Sequence, residues 1–464
     1  MGSMEEAHGV RECMFLCLPV QLRKLSIFSI LTSCTPKITV SITPILVTIV
    51  TDFNITYTKA GYLITVNLLF LGLGNLFWIP LSEKIGKRPV LIACSGLFFV
   101  STIWAAASRS WGSLFGARIV QGFAASVSEG LGPVIVADVY FLHERGLWVG
   151  VNLLTFTVGT SLGGIFSGLI ANATPNWHWV YWHQVFLTGM LFLVIVLFQA
   201  ETNFNRPQEN ESGEGLPASQ LAAIRARVKS RWIKSLGLTS WYNRDFSIWW
   251  LWWRPFLTLR FPAVWFCILT YGVCLGWVSF QITAQGALFP SAYNFSSLAV
   301  GNISCSYLVS SVVGCVAGGP LTDWTVQFIT KRHGGYFAPE SRLWCMIPPA
   351  LVAPAGLMLW GAGIQNHLSS MVPIVGTAIT YAVLCAVPGI GMTPVSKETM
   401  TIVTAAKNTF AFGLSFSVFP WIAKDGLVKV SGFQALIQSV ILLTTIPMYL
   451  YGARLRQWTN KFII

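Results

Sequence analysis

The chain has 464 residues, of which 54% are hydrophobic and only 10% charged, with a mean hydropathy of +0.63 and a formal charge of +13. Soluble domains carry about 25% charged residues, so this composition excludes a soluble globular protein and describes a polytopic membrane protein. The ten cysteines form no Cys-x-x-Cys pair, the six histidines are scattered, and no G-x-x-x-x-G-K-[ST] loop is present. No metal centre, cofactor, enzymatic site or ATP-driven pump is therefore expected.

Residues 1–26 carry Glu5, Glu6, Arg11 and Glu12 and lack the apolar core of a cleavable signal, which predicts a cytoplasmic tail. Twelve apolar runs follow, each close to the roughly 20 helical residues that cross a hydrocarbon core. Six of them, at 27–50, 62–81, 90–107, 112–137, 147–171 and 181–200, make an N-terminal bundle over 27–200. Lys37 falls inside the first. The fourth holds Arg118, Gln121 and Glu129. An intramembrane arginine must face the bundle interior or water, so Arg118 is functional by default. Glu129 lies eleven residues on, about three turns away and nearly on the same face. Desolvation disfavours a charged carboxylate, which is the property a proton carrier needs; a structural hydrogen-bonding role is the alternative. Lys37 either neutralises Glu129 across a cavity or snorkels to an interface. In the first case a neutral or acidic cargo is favoured over a cation. The fifth run carries Asn152 and the small-residue face Gly159, Gly163, Gly164 and Gly168, suited to close helix packing.

Residues 201–262 read as a cytoplasmic linker, with a basic amphipathic stretch at 219–232 and Trp249, Trp250, Trp252 and Trp253 just before the next run. Both features suit the inner membrane interface. The C-terminal bundle, 263–453, comprises runs at 263–289, 299–321, 343–363, 371–394, 402–423 and 432–453, with a cytoplasmic tail at 454–464. Polarity within the runs nominates Gln121, Asn152, Tyr271, Gln281, Gln285, Tyr307 and Tyr381 as the lining of a cargo cavity between the halves. Lys407, beside Asn408 and about one turn from the inner end of its run, is open to the same two readings as Lys37.

A block of turn chemistry recurs. Gly74 to Glu83 is G-N-L-F-W-I-P-L-S-E and Gly314 to Asp323 is G-C-V-A-G-G-P-L-T-D, 240 residues later, each followed by basic residues. Two halves related in this way predict two six-helix bundles that rock about a central site. Lysines and arginines are retained in the cytoplasm. With both termini inside, only Lys59, Arg109, Lys424 and Lys429 of the loop cations fall outside, so the basic balance reflects topology and anionic lipid rather than nucleic acid. Asn54, Asn172 and Asn294 begin Asn-x-Ser/Thr sequons in loops assigned outside and are candidate glycosylation sites.

Pro80-Leu-Ser-Glu-Lys-Ile-Gly-Lys-Arg-Pro89, Leu114-x-x-x-Arg118-x-x-Gln121-Gly122, Ala137 to Gly146, Pro175 to Trp182 and Glu201 to Pro207 together resemble segments of a fungal major facilitator superfamily transporter of the twelve-helix drug:proton antiporter type. The resemblance covers nearly the whole chain. It implies an all-α membrane fold and a monomer in the plasma membrane that binds protons and a small organic substrate. Transport would be proton-coupled efflux of a drug, toxin or secondary metabolite by alternating access, with Arg118 in coupling. Uptake of a polyamine-like nutrient is the alternative. Glu83, Lys84, Lys87, Arg88, Asp138, Glu144, Arg145 and Asp323 correspond to gating loops. Gly159 to Gly168 resembles the antiporter helix-five motif, with Gly164 where proline is usual. Gly391 to Glu398 departs from the family by an apparent loss of several residues. The expectation is a helix ten about two turns short or a strained loop after it, and an inactive copy is the further alternative.

Overall fold

The computed structural model describes residues 41–139, 145–174, 176–199, 247–332, 339–391 and 397–460. All regular structure among them is helical. The first half contains α1 (Leu46–Phe53), α2 (Tyr57–Ile85), α3 (Lys87–Ala106), α4 (Trp111–Val139), α5 (Arg145–Ala173) and α6 (His178–Phe198). The second contains α7 (Pro262–Tyr293), α8 (Ser304–Gly318), α9 (Ile347–Gln365), α10 (Met371–Gly391), α11 (Lys397–Phe416) and α12 (Leu427–Leu443). Nine spans among the described residues are long and apolar enough to cross a membrane, and a bent pair makes a tenth. Phe186, Met190, Leu193 and Leu197 on α6, and Leu351 on α9, are exposed. Such apolar faces require a lipid rather than an aqueous surround.

Helix ends follow capping chemistry rather than hydropathy. The second run was expected at 62–81, yet α2 extends over 57–85 because Thr56 caps its start by accepting from the Lys59 N–H and Gly86, at φ 103°, stops it. That φ suits glycine. Asn54 and Asn294 both adopt the left-handed conformation, at φ 49° and 52°, where α1 and α7 end. Two residues later Thr56 and Ser296 each cap the following helix, onto the amides of Lys59 and Ala299. These positions keep the 240-residue offset of the repeat. The Asn-x-Ser/Thr pattern at both corners is therefore also a helix-turn-helix junction, asparagine tolerating the left-handed geometry and the hydroxyl satisfying orphan amides.

Three runs differ from expectation. The run at 299–321 is broken into Ser297–Asn302, α8 and Pro320–Arg332, with Pro320 restarting the chain after Gly319. The run at 402–423 is α11 bent by 42° into Val418–Asp425. Of the run expected at 371–394, α10 covers 21 residues, about 31 Å at 1.5 Å per residue and long enough to cross. Residues 392–396, where the sequence departs from the family pattern, lie outside the described residues, as do most of the first run, the stretch at 219–232, the N-terminal tail and residues 461–464.

Packing repeats between the halves. In the first, α2 packs on α4, and α3 on α4 and α6; in the second, α8 packs on α10, and α9 on α10 and α12. The halves meet where α2 lies along α11 and α5 along α8, again a repeat-related pair of contacts. Glycine permits the closest approach: a Cβ on Gly72 would sit 2.8 Å from the Ala405 carbonyl and the Asn408 Cβ, and one on Gly168 would sit 2.9 Å from the Gly301 Cα.

The tryptophan-rich segment forms a short helix, Ile248–Leu257. It lies against α2 and α11. Leu251 and Pro255 are buried and Trp252 stands 5.7 Å from Phe77, while Trp249 and Trp253 are 72% and 61% exposed. This is the geometry of an interfacial anchor.

Candidate functional site

A cavity of about 120 Å³ lies between the halves, walled by α2, α4 and α5 on one side and α7, α10 and α11 on the other. Its surface is mainly aliphatic and aromatic, with one pair of formal charges. Glu129 of α4 and Lys407 of α11 form an ion pair through Oε1 and Nζ. The second carboxylate oxygen accepts from Asn408 Nδ2 at 2.8 Å. The Lys407 ammonium also sits 4.2 Å from the centroid of the Tyr271 ring, a cation–π contact. Two adjacent residues of one half thus grip one carboxylate of the other.

Local packing dictates this meeting. A Cβ on Gly122 would collide with the Asn67 carbonyl, and Gly72 admits the α11 backbone at Asn408; these two glycines draw α4 and α11 onto opposite sides of α2. Side chains of Lys407 and Glu129 are 2% and 14% exposed. Neither charge is stable alone in such surroundings, and pairing with further hydrogen bonds offsets the desolvation.

The described residues give Glu129 a partner other than Lys37. Lys37 lies outside the described residues, and Lys407 is the cation in contact. Lys407 is not a snorkelling terminal lysine, because α11 begins at Lys397 and places it mid-helix, buried at 2% exposure.

Arg118 is fully buried elsewhere. Its Nε donates to the Leu63 carbonyl at 3.1 Å and its Nη1 to Gln121 Oε1 at 3.2 Å, while Gln121 Nε2 donates to Thr102 Oγ1 at 3.2 Å. The arginine and Gln121 tie α2, α3 and α4 together behind the cavity wall and do not meet Glu129 there.

Of the seven residues expected to line the cavity, Tyr271 and Tyr381 do so. The other five stand behind the wall. Asn152 packs beside Gly132, Gln281 accepts from Thr380 at 2.6 Å, and Gln285 accepts from the Tyr307 hydroxyl, Tyr307 being stacked on Tyr381 with centroids 4.9 Å apart. Polarity within a span marks burial in the bundle, and the rotation of each helix decides whether the group meets the cavity. Thr65 and Thr157 also line the cavity and were not among the expected residues, while Lys407 and Asn408 were marked in the sequence as a lysine next to an asparagine inside an apolar run.

At the charged end, Asp323 is paired with Arg342 at 2.5 Å, joining the start of Pro320–Arg332 to the segment before α9. Lys87 and Arg88 are buried, and Arg88 Nη2 donates to the Val196 carbonyl at 3.1 Å, fastening α3 to α6. Glu83 and Lys84 lie in the last turn of α2. Glu144 and the side chains of Asp138 and Arg145 lie outside the described residues. Gly168, with the Gly164 carbonyl, receives Gly301 at the α5–α8 contact, while Gly159 and Gly163 sit on α5. Asn172 is exposed near the end of α5.

The comparisons with known proteins agree with this architecture. The family described as "Major Facilitator Superfamily" matches residues 27–420. An uncharacterised MFS-type transporter of Schizosaccharomyces pombe is 26% identical, over 85% of this chain and 78% of its own. A probable efflux pump of Aspergillus flavus, mfs2, is 28% identical, over 72% of this chain and 78% of its own. Among solved structures, the Escherichia coli xylose transporter XylE in a partially occluded inward-open conformation aligns with a TM-score of 0.63 at 15% identity, covering 94% of this chain and 99% of that one. That likeness is one of fold. A multi-pass helical chain with a repeated bundle, a cavity between the repeats and a family match over most of its length belongs to the Major Facilitator Superfamily, and is a transporter rather than an enzyme.

Proposed function

We propose that this transporter exports a small organic molecule across the plasma membrane in exchange for protons, by alternating access, with Glu129 as the proton-binding group. The observation that carries the reading is the Glu129–Lys407 pair, which crosses from one half to the other in the cavity wall. Protonation of Glu129 removes its attraction for Lys407 and loosens a tie between α4 and α11, so proton occupancy biases the arrangement of the halves. With the pair intact, the cavity presents no net charge and disfavours a cationic cargo. Export is supported by the resemblance to fungal antiporters, by the glycine face of α5 and by the relative named as an efflux pump. Both termini are taken to be cytoplasmic from the distribution of lysines and arginines, and the working unit to be a monomer in lipid.

The test is efflux of a cargo panel from cells expressing the wild type or Glu129→Gln, with and without a collapsed proton gradient. Glutamine keeps the side chain's shape and one acceptor oxygen for Lys407 while removing the ionisable carboxyl. Wild-type efflux that needs the gradient and disappears in Glu129→Gln is the expected result. Gradient-driven efflux retained in the variant would remove Glu129 as the carrier.

A further inference from the structure

The seam between α8 and α10 brings two thiols together. A Cβ on Gly314 would sit 2.6 Å from the Cys385 Cβ, and one on Gly318 would sit 2.8 Å from the Ala386 Cα, so these glycines let the two backbones come nearly into contact. Cys315 follows Gly314 on α8 and arrives beside Cys385 of α10. The two thiols stand within hydrogen-bonding reach of each other. Cys385 belongs to the packed core of the second half and Cys315 packs against it. Both are free thiols.

The pair has an approach from either side, because Cys385 borders the cavity between the halves and Cys315 is half-buried. No third ligand joins them: among the described residues, no group of three or more His, Cys, Asp or Glu side chains could hold a metal ion. Zinc, which takes four ligands in a structural site, is poorly served by two. Two sulfurs suit a soft centre that is satisfied by both. The membrane interior sets a second condition, since a net charge left there is costly. A trivalent arsenic bearing one organic group meets both. Its oxide, R–As=O, reacts with two thiols to form two As–S bonds, while the As=O bond breaks and the oxygen leaves as water with both thiol protons. Arsenic stays trivalent, no oxidant or reductant is consumed, and reactants and product are all neutral.

We propose that Cys315 and Cys385 form a two-sulfur capture site for neutral thiophilic electrophiles, monosubstituted trivalent arsenicals being the class that fits. The bridged group would join α8 to α10 and stand in the cavity wall near Tyr271 and Tyr381. The site holds for either direction of transport, with or without proton coupling.

The probe is phenylarsine oxide, added to the reduced full-length protein in lipid nanodiscs. The parent chain carries Cys13→Ser and Cys17→Ser, because those two cysteines lie four apart in the sequence and could chelate arsenic by themselves. A wash with excess 2-mercaptoethanol strips arsenic held by one sulfur, and intact-protein mass spectrometry counts what remains. One phenylarsenic group per chain is expected, released by dithiothreitol and mapped by the protection of Cys315 and Cys385 from N-ethylmaleimide after unfolding in detergent. Closing the second As–S bond is intramolecular, so Cys315→Ser and Cys385→Ser should each lower retention by roughly a hundredfold, while Cys305→Ser leaves it unchanged. If Cys385→Ser does not fold, the half-buried Cys315 position and the protection map of the parent chain decide the matter. No arsenic retained on the folded parent chain, retention that survives Cys315→Ser, or protection of a different pair of cysteines would each overturn the proposal.

Discussion

Glu129 and Lys407 illustrate how two costly groups become tolerable together. Each lies in an apolar span, and each is held by more than its partner: the carboxylate by Asn408, the ammonium by the Tyr271 ring. Removing one member leaves the other charged and buried, at a cost of about 3–5 kcal/mol, whereas removing both is far milder. Lys407→Met should therefore lower the thermal unfolding midpoint in detergent sharply, and Glu129→Gln with Lys407→Met should recover most of the loss. Additive losses in that double-mutant cycle would show that the pair is not a coupled unit. Arg118, which the sequence marks as strongly as Glu129, does its work in a different place. Its hydrogen bonds to the Leu63 carbonyl and Gln121 join helices within one half, and no spacing rule distinguishes that from a cavity position.

At the scale of the helix, glycine and caps decide how elements meet. Gly168 and Gly301 place α5 against the segment leading into α8 with backbone nearly in contact. A side chain at Gly168 must push that seam apart, so Gly168→Val is expected to lower the unfolding midpoint and abolish transport. Gly432→Ala is the control, since nothing lies within 4 Å of the added methyl, and it should keep the wild-type midpoint and activity. A tolerated Gly168→Val would mean that the α5–α8 contact separates without consequence. The helix boundaries teach the same lesson: hydropathy located each apolar run, but α2 outgrew its run because its ends are set by Thr56 and Gly86. The bend after Phe416 and the break at Gly319 interrupt runs that are continuous in hydropathy.

For the whole molecule, the halves are held along the α2–α11 seam at both ends of the cavity. Toward the Asn54 end, Tyr62 stacks on Phe416 with centroids 4.5 Å apart and planes 4° from parallel. Toward the other, the helix Ile248–Leu257 rests on both α2 and α11. An aromatic pair contributes about 0.5–1.5 kcal/mol beyond its burial. Tyr62→Ala should thus favour arrangements open at the Asn54 end by roughly two- to tenfold. The readout is labelling of Cys385, which lines the cavity, by an impermeant thiol reagent added from outside and resolved by site with mass spectrometry. Labelling is expected to rise; an unchanged rate would show that the stack is no part of the closure.

Length, composition and repetition by themselves determined the class, the twelve runs, the two-fold plan and the short set of intramembrane charges, because these depend only on how many apolar residues lie in a row and which ones break the pattern. The 240-residue repeat foretold the matching contacts of α2 with α4 and α8 with α10. Tertiary structure alone decided that Lys407 faces Glu129, that Tyr271 and Tyr381 reach the cavity while Gln281, Gln285 and Tyr307 stand behind it, and that Asn408 keeps an oxygen without a donor. The reason is physical. A membrane span is specified by the solvent around it, whereas the rotation of that span, and so the company each polar group keeps, is set by packing against helices hundreds of residues away.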